Sequence, residues 1–99
     1  MDFGRERPKF EWDSAKSERA LRDRGFDFRY AARIFDGKTY LPKAIITRSE
    51  MRYLSTGRVG DHVITIVWTP RRGQIRIISA RPASRKERLA YAQALIEEK

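Results

Sequence analysis

Three β-forming runs separated by short turns fill the second half of the chain and set what it can become. Residues 51–59, 62–69 and 74–81 are rich in β-branched and aromatic side chains, with the highest density in Val63 to Val67. Gly60-Asp61 puts glycine at the first central position, as a type II′ hairpin turn prefers. Pro70-Arg71-Arg72-Gly73 reads as a longer second turn. An antiparallel meander follows.

The last run passes directly into a helix. Pro82 blocks continuation of the hydrogen-bond ladder. Ser84 then stands as N-cap, with Glu87 three residues on completing a capping box. The helix extends to about residue 97, with Leu89, Ala92, Leu95 and Ile96 spaced to pack on the sheet. Five basic residues (Arg76, Arg81, Arg85, Lys86 and Arg88) ride on this strand–helix unit against one acid, Glu87.

Upstream, residues 1–9 are polar, broken by Gly4 and Pro8, and read as a flexible arm, with a single domain over 10–99. Phe10-Glu11-Trp12 alternates as a short strand. Asp13 caps a helix ending at Gly25, with Ala15, Ala20 and Leu21 as its sparse apolar stripe. Asp27 caps a second helix, whose buried face is Phe28, Ala31, Ala32 and Phe35, and Asp36-Gly37 closes it. Pro42 interrupts residues 38–48, where Ala44 to Thr47 can form an edge strand. The order is β-α-α-β-β-β-α: an α+β domain, its sheet an antiparallel meander with the helices on one face.

Charge narrows the function. The 99 residues carry a net +9, and Glu50 to Arg88 holds nine basic residues against three acidic, +6. Such a surface suits nucleic acid or an acidic protein. Absence of cysteine excludes disulfides and thiolate zinc, and no apolar run reaches the length of a membrane span, so the expected compartment is the cytoplasm. The sole histidine, His62, flanks a hairpin turn with no partners at metal-site or triad spacing, and no phosphate-binding glycine loop follows a strand. Neither metal nor cofactor is expected.

What remains is arginine on a sheet. Alternation places Arg52, Leu54, Thr56 and Arg58 on one face of their strand. On the last strand it separates Arg76 from Arg81, which converge only if a bulge intervenes or Arg81 lies past the strand's end. Guanidinium groups bind phosphate bidentately and stabilise a pentacoordinate phosphorane by fixed charge. That suffices for RNA cleavage by the substrate's own 2′-OH, with Glu50 as candidate base. The competing reading is a solvated face, or salt bridges to Glu11, Asp13 and Glu50. Trp12 and Trp68 can stack on bases or fill the core.

FEWDSAK at 10–16, Arg24-Gly25, Phe28, Ala31-Ala32 and Phe35 resemble the opening pattern of the BrnT toxin family (DUF497). So do Glu50, Arg52, Gly57, a hydrophobic strand ending in Thr69, RIISARPASRKER at 76–88, and Tyr91. The resemblance covers residues 10–92 apart from 38–48. It implies a RelE-like fold and the toxin half of a type II toxin–antitoxin module, a ribonuclease that blocks translation. The implied partner is a BrnA-type DNA-binding antitoxin, so operator DNA is reached only through the complex, within which a homodimer is an open option. By motif match, Arg58, Arg76 and Arg81 are the phosphate-handling and catalytic set. Trp12, Asp13, Lys16 and Arg85 mark the margin of the RNA site, and Arg52 lies on the same RNA-binding face. The family's usual Lys-His-Gly at the end of the first helix is here Asp23-Arg24-Gly25. A non-catalytic RNA- or antitoxin-binding module, a degenerate toxin, is the alternative.

Overall fold

The fold is that of a computed structural model, which describes residues 9–37, 39–46 and 49–97, with 39–43 as backbone. The expected arm falls on residues outside that description, except Lys9, whose carbonyl accepts the Ile75 N–H at 2.8 Å. In chain order the elements are β1 (Phe10–Trp12), α1 (Ser14–Arg24), α2 (Phe28–Ala31, tightening into a 3₁₀ turn over Ala32–Asp36), β2 (Thr39–Ile46), β3 (Met51–Val59), β4 (His62–Arg71), β5 (Gln74–Pro82) and α3 (Arg85–Glu97).

One sheet runs β1-β5-β4-β3-β2. Strands β2 to β5 form the expected meander, but β1 lies parallel to β5, so the sheet is mixed rather than wholly antiparallel. A parallel neighbour needs a long connection, and α1 through β4 supply it. Strand β2 is longer than the sequence suggested. Pro42 sits in a register irregularity between Tyr40 and Lys43 on this edge strand, where its missing N–H is tolerated.

Both hairpin turns have two residues. Gly60 has φ +57° and Asp61 does not enter the left-handed region, as a type II′ turn requires. The second turn is shorter than expected, because β4 continues through Pro70-Arg71. Arg72 (φ +54°) and Gly73 (φ +76°) make the reversal with both central residues left-handed, a type I′ turn. Pro70 can stay in the strand because the β3–β4 register stops two residues earlier, at Tyr53 opposite Trp68.

Helices α1 and α2 cover one face of the sheet. The core there joins Phe26, Phe28, Ala31 and Ile34 to Ile64, Ile66, Ile77 and Ala80, with Phe10, Trp12, Phe35 and Trp68 packed around it. Helix α1 sits close to the sheet through small residues. Ser17 and Ala20 are buried and the Ser17 hydroxyl accepts the Phe28 N–H at 2.9 Å, whereas Ala15 and Leu21 face solvent.

Helix α3 does not join them. Its Glu87 bonds Thr65, whose neighbours Ile64 and Ile66 point into the α1–α2 core, so α3 lies across the opposite face. The molecule has three layers, and the expectation of helices on one face is overturned. The reason lies in α3 itself: the face it meets is polar. Glu87 and Tyr91 turn inward, while Leu89 and Ile96 are 62% and 64% exposed rather than packed on the sheet.

Candidate functional site

A bulge in β5 organises the site. Val67 pairs with Ser79 and Trp68 with Ile77, so Ile78 is an extra residue opposite no partner in β4. The alternation changes phase there. Ile77 and Ala80, three apart, both point into the core, and Arg76 and Arg81 emerge together on the opposite face. Register extends that face sideways: Thr69 pairs with Arg76 and Thr65 with Arg81, Thr56 with Thr65, and Arg58 with Val63. Arg52, Arg58, Arg76 and Arg81 therefore all project from the face that α3 partly covers. Trp68, by contrast, belongs to the core, stacked on Tyr53 at 4.9 Å with its indole N–H donating to the Ser55 hydroxyl.

Two groups form on this face. Near the start of β3, a row runs from Arg52, one residue beyond the last β3–β4 pair, past Thr69 and Arg76, which pair with each other, to Glu11, which pairs with Arg76 from β1. Two strand spacings put the Cα atoms of Arg52 and Arg76 about 10 Å apart. Arg76 donates to Glu11 at 2.9 Å and Arg52 to Glu50 at 2.8 Å, all four side chains about one-third exposed. Two cations and two carboxylates thus share one end of the sheet.

The second group sits under the start of α3. Arg81 is held bidentately by Glu87, Nη1 to Oε1 at 2.7 Å and Nη2 to Oε2 at 2.9 Å. Glu87 Oε1 also accepts the Ser84 N–H and the Thr65 hydroxyl, and Thr65 in turn takes a hydrogen bond from Thr56 at 2.7 Å. The capping box is complete, since the Glu87 N–H donates to the Ser84 hydroxyl. The Arg81 guanidinium, followed by the Ser84 N–H and the Thr65 hydroxyl, holds the Glu87 carboxyl down at about 2 against the opposing effect of burial. Arg81 is correspondingly raised by its hydrogen bonds to Glu87. One glutamate both starts a helix and fixes an arginine.

The other expected residues are dispersed. Arg58 stands at the far hairpin, its Nε donating to the Gly60 carbonyl at 2.7 Å and Asp61 3.8 Å away. Trp12 faces the opposite layer, edge-on to Phe28 and under the Arg29 guanidinium. Asp13 caps α1 by accepting the Lys16 N–H. Lys16 lines a cleft between α1 and β5, and Arg85 opens α3, exposed. Arg76 and Arg81 lie about 15 Å apart along the strand, too far for both to reach one phosphate-sized anion.

Glu11, expected as a salt-bridge partner, and Glu87, expected as a cap, each hold an arginine of this face. Glu11 is signalled by its place in β1 beside a charged strand. Arg24 donates to the Ala80 carbonyl at 2.6 Å, tying the end of α1 to β5, so the arginine standing where the family usually has histidine has a structural task. His62 is also better connected than a turn residue need be: its Nδ1 lies 2.8 Å from the Tyr30 hydroxyl and its ring meets Phe26 edge-on. Among the described residues no cluster of His, Asp or Glu could hold a metal ion, and no helix is long and apolar enough to cross a membrane.

Guanidinium groups fixed by carboxylates, on a sheet face edged with threonine hydroxyls, suit a phosphodiester backbone. Residues 12–87 match the family model described as "Ribonuclease toxin, BrnT, of type II toxin-antitoxin system". This chain belongs to the BrnT family. It is a ribonuclease toxin of a type II toxin–antitoxin system, with RNA as substrate and an antitoxin as partner. No curated protein matches the sequence. The crystal structure of the Brucella abortus ribonuclease toxin BrnT is similar in fold, with a TM-score of 0.52 at 22% identity, over 80% of this chain and 100% of that one. The BrnT family match includes the bulged strand, the capping box and both arginine groups apart from Glu11, and stops at Glu87 itself.

Proposed function

We propose that this BrnT-family toxin cleaves RNA without a metal ion, using the arginine face of its sheet. The observation that supports the reading is the bulge at Ile78, which turns Arg76 and Arg81 to the same face as Arg52. In the reaction, the substrate 2′-OH attacks the adjacent phosphorus in line. Its proton passes to a carboxylate of the Arg52–Arg76 row, Glu50 or Glu11, as the attack proceeds. The bond to the 5′ oxygen breaks, that oxygen takes a proton from water, and a 2′,3′-cyclic phosphate remains. Arg76 exchanges Glu11 for the phosphate and carries the charge that builds on the equatorial oxygens, with Arg52 beside it. Arg81, held by Glu87, binds a flanking phosphate. Arg58 and Arg85 extend the positive track.

A BrnA-type antitoxin neutralises the toxin in the cytoplasm by covering this face, its carboxylates taking the place of RNA phosphates. Operator DNA is reached through that complex.

The test is cleavage of end-labelled RNA by purified protein in EDTA, alongside Arg76→Ala and Arg81→Ala. Cutting by the wild type, cyclic-phosphate ends and loss in Arg76→Ala are the expected results. Cutting abolished by EDTA would refute the metal-free mechanism. RNA binding with no cutting, even with translating ribosomes added, would point to the non-catalytic module instead.

A further inference from the structure

Helix α1 lies beside the end of β5 that no described strand covers. Strand β1 pairs with β5 only from Ile75 to Ile77, so beyond the bulge the outer edge of β5 faces α1. Between them is a cleft of about 160 Å³, room for roughly five waters. Lys16, Arg19, Asp23 and Arg24, at helical spacing along one side of α1, form one wall. Ile78 and Ser79 form the other, with buried Phe28 beneath. Three cations stand against one carboxylate, and Asp23 is also drawn toward Arg22, 4.0 Å away.

Two features make this more than scattered surface charge. Arg24 is anchored by its bond to the Ala80 carbonyl, so one cation of the cleft is fixed in place without another residue's charge. That same carbonyl belongs to the peptide leading into Arg81, whose side chain rises on the sheet face around the edge. Ser79 bridges the two: it lines the cleft, and its register with Val67 places it on the Arg76–Arg81 face. A polyanion lying along the arginine face and turning over the edge of β5 enters the cleft directly.

We propose that this cleft is a second phosphate subsite, in which Lys16 and Arg19, with Arg24 at its base, hold an RNA phosphodiester next to the one at Arg81. The proposal rests on the reading that the arginine face binds RNA. It adds a direction to the bound strand, from the sheet face across the free edge of β5 to α1. The cleft's cations bind equally in ground state and transition state, because the bond that breaks lies elsewhere. Their loss weakens binding and leaves turnover.

The experiment uses the double variant Lys16→Ala/Arg19→Ala, both residues exposed, and a charge-matched control, Arg29→Ala/Arg33→Ala, on the α2 side. Binding of a 2′-O-methyl oligoribonucleotide, which lacks the attacking hydroxyl, is measured over a range of salt. The cleft variant is expected to bind about tenfold more weakly at low salt. The slope of log K against log salt should become shallower by about 0.7, one single-strand phosphate contact, with the control near wild type. With cleavable RNA, KM rises and kcat is unchanged. An unchanged slope, or an equal loss in the control, overturns the subsite. A wild type that binds and never cuts, with the slope shift intact, refutes the cleavage mechanism and leaves the subsite standing.

Discussion

Glu87→Gln separates the charge of the Glu87–Arg81 pair from the helix cap. Glutamine still suits a capping box, so the start of α3 is kept while the anion opposite Arg81 disappears. The wild-type carboxyl is held at about 2 against an ordinary 4.5, worth about 3 kcal/mol if counted in full. Water reaches the pair, Arg81 being 34% and Glu87 19% exposed, which reduces the figure to about 2 kcal/mol. Because the folded value lies below the unfolded one, this contribution is complete above about pH 4.5 and is lost as pH falls toward 2. The variant should therefore melt roughly 8–16 °C below wild type at pH 7. Near pH 2 the gap should shrink to a few tenths of a kcal/mol, since both proteins then lack the charge. Thermal unfolding of the two proteins across that pH range is the assay. A gap of equal size at both ends, or none at pH 7, would refute the assignment of this stability to an ionised Glu87.

Three further outcomes follow from other parts of the fold. Arg76→Ala should lower the cleavage rate by about 10²–10³-fold in a single-turnover assay, with the melting temperature nearly unchanged, because its pair with Glu11 is partly solvated. Ile66→Ala, deep between the sheet and α2, should lose about 2–5 kcal/mol in urea unfolding with RNA binding retained once folded. Arg72→Asn should raise stability by about 1 kcal/mol, measured the same way, because asparagine accepts the left-handed first position of a type I′ turn that arginine resists.

The three main strands, the first hairpin turn and the caps were legible because each is written locally. Asp13, Asp27 and Ser84 cap as their spacing required, and alternation gave the faces of β3 correctly. The joint position of Arg76 and Arg81 was not legible, since Gln74 to Arg81 contains no glycine or proline to mark a bulge. Its trace is the inward pair Ile77 and Ala80, whose separation of three breaks a period of two. The layer of α3 was misread for a related reason. Leu89 and Ile96 satisfy a helical period, but a helix resting on Thr56, Thr65 and Arg81 turns its polar residues inward. Of the site itself, the arginines were visible and so were Glu11 and Glu50 as salt-bridge partners, but Glu87 was legible only as a helix cap, because its second role appears only once Arg81 and the start of α3 meet on the sheet.

The edge strand β2 bears on how the protein behaves in solution. Ile45 and Ile46 are 44% and 78% exposed there, with Met51 across the ladder 42% exposed, beside an outer rim that no described strand covers. A rim of that kind templates another strand. The net charge of +9 keeps copies apart while ionic strength is low. At about 0.15 M salt the range of that repulsion falls to roughly 8 Å, while the rim and its isoleucines are unaffected. The purified toxin should therefore be most soluble in dilute buffer and gather into larger species as salt is added, the reverse of a protein whose copies attract through opposite charges.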